Sequence, residues 1–328
     1  MPEPIRWGIL GAGAIAATVA ADISASAGSV LAAVGARDGA RSAAFAESHR
    51  VARSYGSYRD LVADPGIDVV YVATTHAHHH EHALLALDAG KPVLVEKAFT
   101  LNARQAREVV AAARETGLFC MEAMWMRFNP LICQAQRLVA GAAIGDLVSV
   151  RCDLSRRFAF DPGHRLFDLG AGGGALLDLG VYTATLAWLF LGRPDSVHAT
   201  GKLSPTGSDA TAAMQWAYRS GQVAQIHSSA VCESPYGALV TGTKGWIDIQ
   251  TPIHRPPAMT VHTSDGEQIV TDNLPGNGYG PQVAEVERCL RAGEVESPRV
   301  PLDDTVGILE TLDEARRQIG VRYSADLE

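Results

Sequence analysis

An apolar run over residues 5–10 passes directly into Gly11-Ala12-Gly13-Ala14-Ile15-Ala16, and an alanine-rich stretch follows. That order is strand, glycine turn, helix, and each residue type in it has a physical reason. Gly11 allows the tight turn, and Gly13 lets a pyrophosphate approach the backbone. Ala14 and Ile15 open the helix whose N-terminus would face the phosphates. Ala16, in the third glycine position, permits close packing of helix on strand. Because the motif stands at the head of a repeating strand–helix pattern, it predicts a dinucleotide site rather than a structural turn.

The pattern continues through the first third of the chain. Strand-like runs fall at 30–36, 69–74, 93–96 and 119–122, and helical stretches at 14–26, 39–50, 78–89 and 102–116. Such alternation predicts a parallel, doubly wound α/β sheet. After about residue 123 the pattern changes. A strand over 147–158 and a long apolar helix over 175–190 precede closely spaced hairpins, with turns at 219–222, 242–245 and 264–267. Helices at 282–291 and 303–319 close the chain. The expectation is a Rossmann domain over 1–122 and an α+β domain with an antiparallel sheet over 123–328.

Charge and cysteine usage narrow the function classes. A net charge of -8 argues against a general nucleic-acid or anionic-membrane surface. The N-terminal residues lack a basic region, no stretch reads as long and apolar enough to span a membrane, and the five cysteines are scattered without C-x-x-C spacing. These features predict a cytoplasmic protein with reduced thiols, acting on a small molecule.

The second strand ends Val34-Gly35-Ala36-Arg37-Asp38. Where an NAD-specific fold places an acid for the ribose 2′-hydroxyl, Ala36 stands, followed by Arg37. A guanidinium can take a 2′-phosphate bidentately, and Arg41 one turn on could assist, so NADP is favoured over NAD. The alternative is that Arg37 stacks on adenine and Asp38 grips the ribose. At the end of the strand over 93–96, Glu96-Lys97 sits on the sheet edge where ligands bind. A lysine there can present its ammonium to nicotinamide and substrate, although a lone lysine is by default a surface residue. Further on, Gly172-Gly173-Gly174 opens a helix whose i, i+4 face carries Asp178 and Tyr182, a carboxylate and a phenol able to grip and deprotonate a hydroxyl. A helix cap with a half-buried tyrosine is the plainer reading.

These runs, with Tyr55-Gly56-Ser57-Tyr58, Met121-Glu122-Ala123-Met124-Trp125 and Gly242-Thr243-Lys244-Gly245, resemble the Gfo/Idh/MocA oxidoreductases over nearly the whole chain. The resemblance implies a Rossmann domain plus an open-faced antiparallel sheet, through which members often form homodimers. It implies a Glu-Lys-Pro signature, matched by Glu96 and Lys97 with Ala98 in the proline position. Tyr182 matches the His or Tyr that acts as acid/base, and Asp178 a carboxylate in the sugar pocket. Thr74, His76 and His79 match the cofactor-edge loop. Trp125, Arg127, Phe160 and Arg165 could shape the pocket, though Trp125 and Phe160 could equally be core.

The implied activity is NADP-dependent hydride transfer at a secondary alcohol or hemiacetal carbon of a sugar or cyclic trans-diol. An NAD-preferring inositol or sugar dehydrogenase, and a dinucleotide-binding sensor without turnover, are the alternatives. His76, His78, His79, His80 and His82 invite a metal, but no Glu stands in an H-E-x-x-H frame and no cysteine lies nearby. No metal is expected.

Overall fold

The computed structural model describes residues 3–235, 237–272 and 274–327. The chain divides into two compact units, Met1–Trp125 with Leu274–Val306, and Met126–Asn273 with Gly307–Glu328.

In the first unit β1 (Ile5–Leu10), α1 (Ala14–Ala25), β2 (Ser29–Gly35), α2 (Gly39–His49), β3 (Arg53–Tyr55), α3 (Tyr58–Val62), β4 (Val69–Val72), α4 (His76–Asp88), β5 (Val93–Val95), α5 (Ala103–Thr116) and β6 (Cys120–Glu122) alternate. The strands pair in parallel in the order β3-β2-β1-β4-β5-β6. The order reverses between β1 and β4, and the crevice outside their carboxyl ends is the place where such sheets take ligands. The central strands are buried on both faces, Ile9, Val34, Val70, Val72 and Leu94 being inaccessible to solvent. The short β3 and α3 escape the sequence pattern.

The second unit contains α6 (Pro130–Ala140), β7 (Leu147–Ser155), α7 (Val181–Leu191), β8 (Ser196–Leu203), β9 (Asp209–Ala217), β10 (Val223–Ser229), β11 (Ala238–Gly242), β12 (Gly245–Ile249), β13 (Ala258–Thr263) and β14 (Gly266–Thr271). Two later helices, α8 (Gly280–Ala292) and α9 (Leu302–Ile319), complete the chain's long elements. The eight strands form one sheet in the order β14-β13-β12-β11-β7-β10-β9-β8. Every pair is antiparallel except β7 with β10, which is parallel. Hairpins are local and readable in the sequence; the seam where two meanders meet is not. The sequence pattern announces neither α6 nor β8. α6 starts on the Asn129 side chain, which accepts from the Leu131 and Ile132 amides, with Pro130 in its first turn. β8 is an edge strand of largely exposed residues and lacks an apolar alternation to announce it.

One expectation is corrected. The helical segment Leu169–Leu191, 23 residues long, is sufficiently long and apolar to cross a membrane. Its opening glycines and Asp178 hide this in the sequence. Most of the segment is buried within the protein, where α7 packs on β7 and β10 and the Cys152 thiol donates to the Thr183 carbonyl at 3.2 Å. Core burial accounts for its apolarity.

Candidate active site

The glycine turn has the form its sequence implies. Gly11 has φ +106°, and a Cβ there would lie 2.7 Å from the Ala73 carbonyl, so the β1 and β4 loops touch backbone to backbone. Gly13 caps α1, no side chain caps the helix's first amides, and a Cβ on Gly13 would meet nothing within 4 Å. An uncapped helix N-terminus beside a bare glycine leaves the first amides of α1 without a side-chain partner among the described residues, the donor arrangement that suits an anion.

At the end of β2, Asp38 is occupied: its Oδ1 accepts from the Ala40 amide at 2.9 Å and the Arg41 amide at 3.4 Å, capping α2. The Arg41 Nε donates to the Ala12 carbonyl at 3.3 Å, tying α2 to the glycine loop. Arg37 is exposed and stands near the Tyr58 phenol. Burial raises the Tyr58 pKa, against the pull of Arg37 and Arg41. The Tyr58 ring meets the His82 ring edge-on at 4.5 Å.

The loops after β4 and β5 are bound together through histidines. Buried His79 places Nδ1 2.8 Å from the Ala98 carbonyl and Nε2 3.1 Å from the Thr74 carbonyl. Burial pulls its pKa down to about 4, so the ring is neutral and donates to one of these carbonyls. His76 Nε2 lies 3.2 Å from the Lys97 carbonyl. The Lys97 amide donates to Glu96 Oε2 at 3.2 Å, while the buried Tyr71 hydroxyl donates to Glu96 Oε1. The Lys97–Ala98 peptide is cis, and the Lys97 side chain is partly exposed. The other histidines also have local partners: His82 with Thr74 Oγ1, His78 with Thr75 Oγ1, and His80 beside Glu108. Among the described residues no group of three or more His, Cys, Asp or Glu side chains is placed to hold a metal.

In the second unit the glycine run folds back on residues 165–168. A Cβ on Gly173 would stand 2.5, 2.6 and 2.8 Å from the carbonyl oxygens of Arg165, Leu166 and Asp168. Gly173→Ala is therefore expected to destabilise the protein by about 1–3 kcal/mol; an unchanged thermal midpoint would show that this turn can open at no cost.

Beyond the turn the helix begins as a π segment, Leu176–Gly180, before α7 continues it. π turns of this sort recur at functional sites. Asp178 lies within the π segment and is 7 % exposed; Arg165 donates to its carboxylate with Nη1 and Nη2 at 3.3 Å. Tyr182, in the first turn of α7, stacks on His254 with ring centroids 5.0 Å apart. His254 had no signal in the sequence: it stands in the loop after β12, far along the chain, and only the fold brings it to Tyr182. The remaining pocket candidates have structural partners. Trp125 is 5 % exposed and stacks on Tyr279 at 4.5 Å. Arg127 is buried, with its carbonyl accepting from the Cys133 thiol. Phe160 is exposed and meets Phe167 edge-on at 5.1 Å.

Comparison with known proteins agrees with this architecture. Residues 5–124 match the oxidoreductase family with an NAD-binding Rossmann fold, and residues 132–248 the GFO/IDH/MocA C-terminal domain. Trans-1,2-dihydrobenzene-1,2-diol dehydrogenase of Danio rerio is 36 % identical over 98 % of this chain and 99 % of its own. D-xylose 1-dehydrogenase (NADP(+)) of Hypocrea jecorina is 34 % identical over 98 % of this chain and 94 % of its own. A 3-ketoreductase from Actinomadura kijaniata, solved with NADP and TDP-benzene, superimposes with a TM-score of 0.87 at 25 % identity, covering 97 % of this chain and 98 % of its own. With both halves matched and full-length identity of this order, the chain belongs to the Gfo/Idh/MocA oxidoreductase family and carries that family's NAD(P)-binding Rossmann domain.

Proposed function

We propose that this protein is an NADP-dependent dehydrogenase acting on a secondary alcohol or hemiacetal carbon of a sugar or cyclic trans-diol. The observation that carries the reading is the π-to-α helix start, which sets a carboxylate held by Arg165 one turn before a phenol stacked on His254. In this mechanism Asp178 accepts a hydrogen bond from a substrate hydroxyl, with Arg165 fixing the carboxylate's orientation. Tyr182, as its phenolate with the Lys97 ammonium as counter-charge, takes the proton of the hydroxyl whose carbon gives up the hydride. In the first unit the amides at Gly13, Ala14 and Ile15 hold the pyrophosphate, and Arg37 with Arg41 meets the 2′-phosphate. Lys97 orients the nicotinamide end, its loop held by Glu96, His76 and His79. Bound NADP would supply the hydride acceptor for the carbon being oxidised.

A sensor without turnover is not favoured, because the relatives described above are dehydrogenases and a reductase by name. For the partner, the reading is a homodimer through the second unit's sheet. The sheet face opposite α7 is open and holds a concavity of about 970 Å³ lined by Arg151, Asp153, His198, Gln215, Gln225 and His227.

The test is one plate: NADP and NAD reduction followed by nicotinamide absorbance with aldoses, inositols and cyclic trans-diols. Turnover of a sugar or diol with NADP, lost in Lys97→Ala and Tyr182→Phe, is the expected result. Tight NADP binding with no turnover on any of these substrates would count against the dehydrogenase reading.

A further inference from the structure

The helix start that carries Asp178 and Tyr182 is held from within the second unit by a carboxylate with no part in the chemistry above. Asp209, the first residue of β9, is 1 % exposed, and its Oδ2 accepts from the Leu176 amide at 2.6 Å. Leu176 opens the π segment. The other oxygen, Oδ1, has no hydrogen-bond partner among the described residues, and a Cβ on Gly174 would lie 2.1 Å from it. Only glycine at 174 lets this carboxylate reach the turn. The C-terminal segment grips the same turn: the buried Tyr323 hydroxyl donates to the Gly173 carbonyl at 2.8 Å. Tyr323 is itself fixed by Arg316, whose guanidinium lies 4.7 Å from its ring centroid. That guanidinium donates to Asp326 at 2.6 Å and Asp313 at 2.5 Å, and Asp326 accepts from the Tyr323 amide.

We propose that Asp209 is a positioning residue for the reaction: through the Leu176 amide it sets where Asp178 and Tyr182 stand, with Tyr323 locking the adjoining glycine. The inference rests on the reading of Asp178 and Tyr182 given above. A buried carboxylate that accepts backbone amides at the helix start through one oxygen, with no ion pair among the described residues, is an expensive choice for a mere packing residue. Burial pushes its pKa up to about 7. The charged and titratable groups around it are Tyr323, Arg316, Asp326 and Asp313 of the C-terminal segment; burial raises the Tyr323 pKa as well, and Arg316 stays charged. Asp209 thus changes charge in the neutral range, and a neutral carboxyl accepts from the Leu176 amide more weakly than a carboxylate does.

The experiment compares wild type, Asp209→Asn and Asp209→Ala in the full chain. Read out are thermal midpoint, NADP affinity, kcat and KM for a substrate found in the plate assay, and amide exchange across residues 169–185 from pH 6 to 8.5, corrected for the intrinsic rate. The expected result is intact NADP binding, kcat lowered about 10- to 100-fold in the alanine variant with a smaller change in KM, and partial rescue by asparagine. Exchange protection at Leu176 in wild type should rise through pH 7, and Asp209→Asn should abolish that step. Unchanged kcat with unchanged exchange in Asp209→Asn would overturn the proposal, as would loss of NADP binding in parallel with kcat. If Asp209→Ala does not fold, Asp209→Asn decides. If wild type turns over no substrate, the dehydrogenase reading falls, and the exchange step alone decides whether Asp209 sets this turn.

Discussion

Replacing Tyr182 by phenylalanine should lower kcat about 100- to 10,000-fold while leaving the fold and NADP binding intact. The substitution deletes one oxygen from a side chain that is 6 % exposed. The ring and its stacking on His254 remain, so packing is almost conserved. What disappears is the phenolic oxygen to which the proposed mechanism gives the substrate proton. If Tyr182 served only as core, the variant would keep its turnover and shift only its melting midpoint. Measuring kcat, NADP affinity and the thermal midpoint side by side separates these outcomes. Full activity in a folded Tyr182→Phe protein would remove Tyr182 from the mechanism.

The second large effect concerns cofactor choice. Arg37→Ala should raise KM for NADP about 10- to 100-fold and change KM for NAD little, since hydrogen bonds to a charged phosphate are worth about 1.5–3 kcal/mol. The competing arrangement, in which Asp38 grips a ribose hydroxyl, meets an obstacle in the local geometry. Its Oδ1 already accepts two amides at the start of α2, and withdrawing it would uncap that helix. Arg41 is engaged with the Ala12 carbonyl through Nε, and in the proposed arrangement its other nitrogens would meet the same phosphate. Initial-rate kinetics with both cofactors check this. A parallel loss with NAD and NADP would mean that Arg37 supports adenine rather than the phosphate.

Legibility followed the range of the interactions involved. Gly11, Gly13 and the strand–helix rhythm are local, because backbone conformation and helix capping act over a few residues, and they announce a parallel doubly wound sheet, though not its short edge strand β3. In the sequence Arg165 reads only as a pocket candidate; its pairing with Asp178 depends on the glycine run folding back on residues 165–168. His254 and Asp209 could not be read at all. Each reaches the α7 helix start from a distant strand or loop, and a lone His or Asp in a polar stretch has no pattern of its own. The parallel seam between β7 and β10 was hidden for a related reason: a hairpin announces its partner by its turn, while strands separated by a helix and a hairpin do not.

The division of the chain constrains how the molecule can be made. The buried Asp22 of α1 accepts from the amides of Asn277 and Tyr279, and Thr305 donates to Glu122 at 2.9 Å. The unit that leaves the ribosome first is therefore unfinished until residue 306 has been added. During synthesis Asp22 and Glu122 gain these contacts only after the whole of residues 126–273 has emerged. A fragment ending at residue 125 would lack Asn277, Tyr279 and Thr305, and an isolated cofactor-binding half should be sought by joining 3–125 to 274–306 through a short linker.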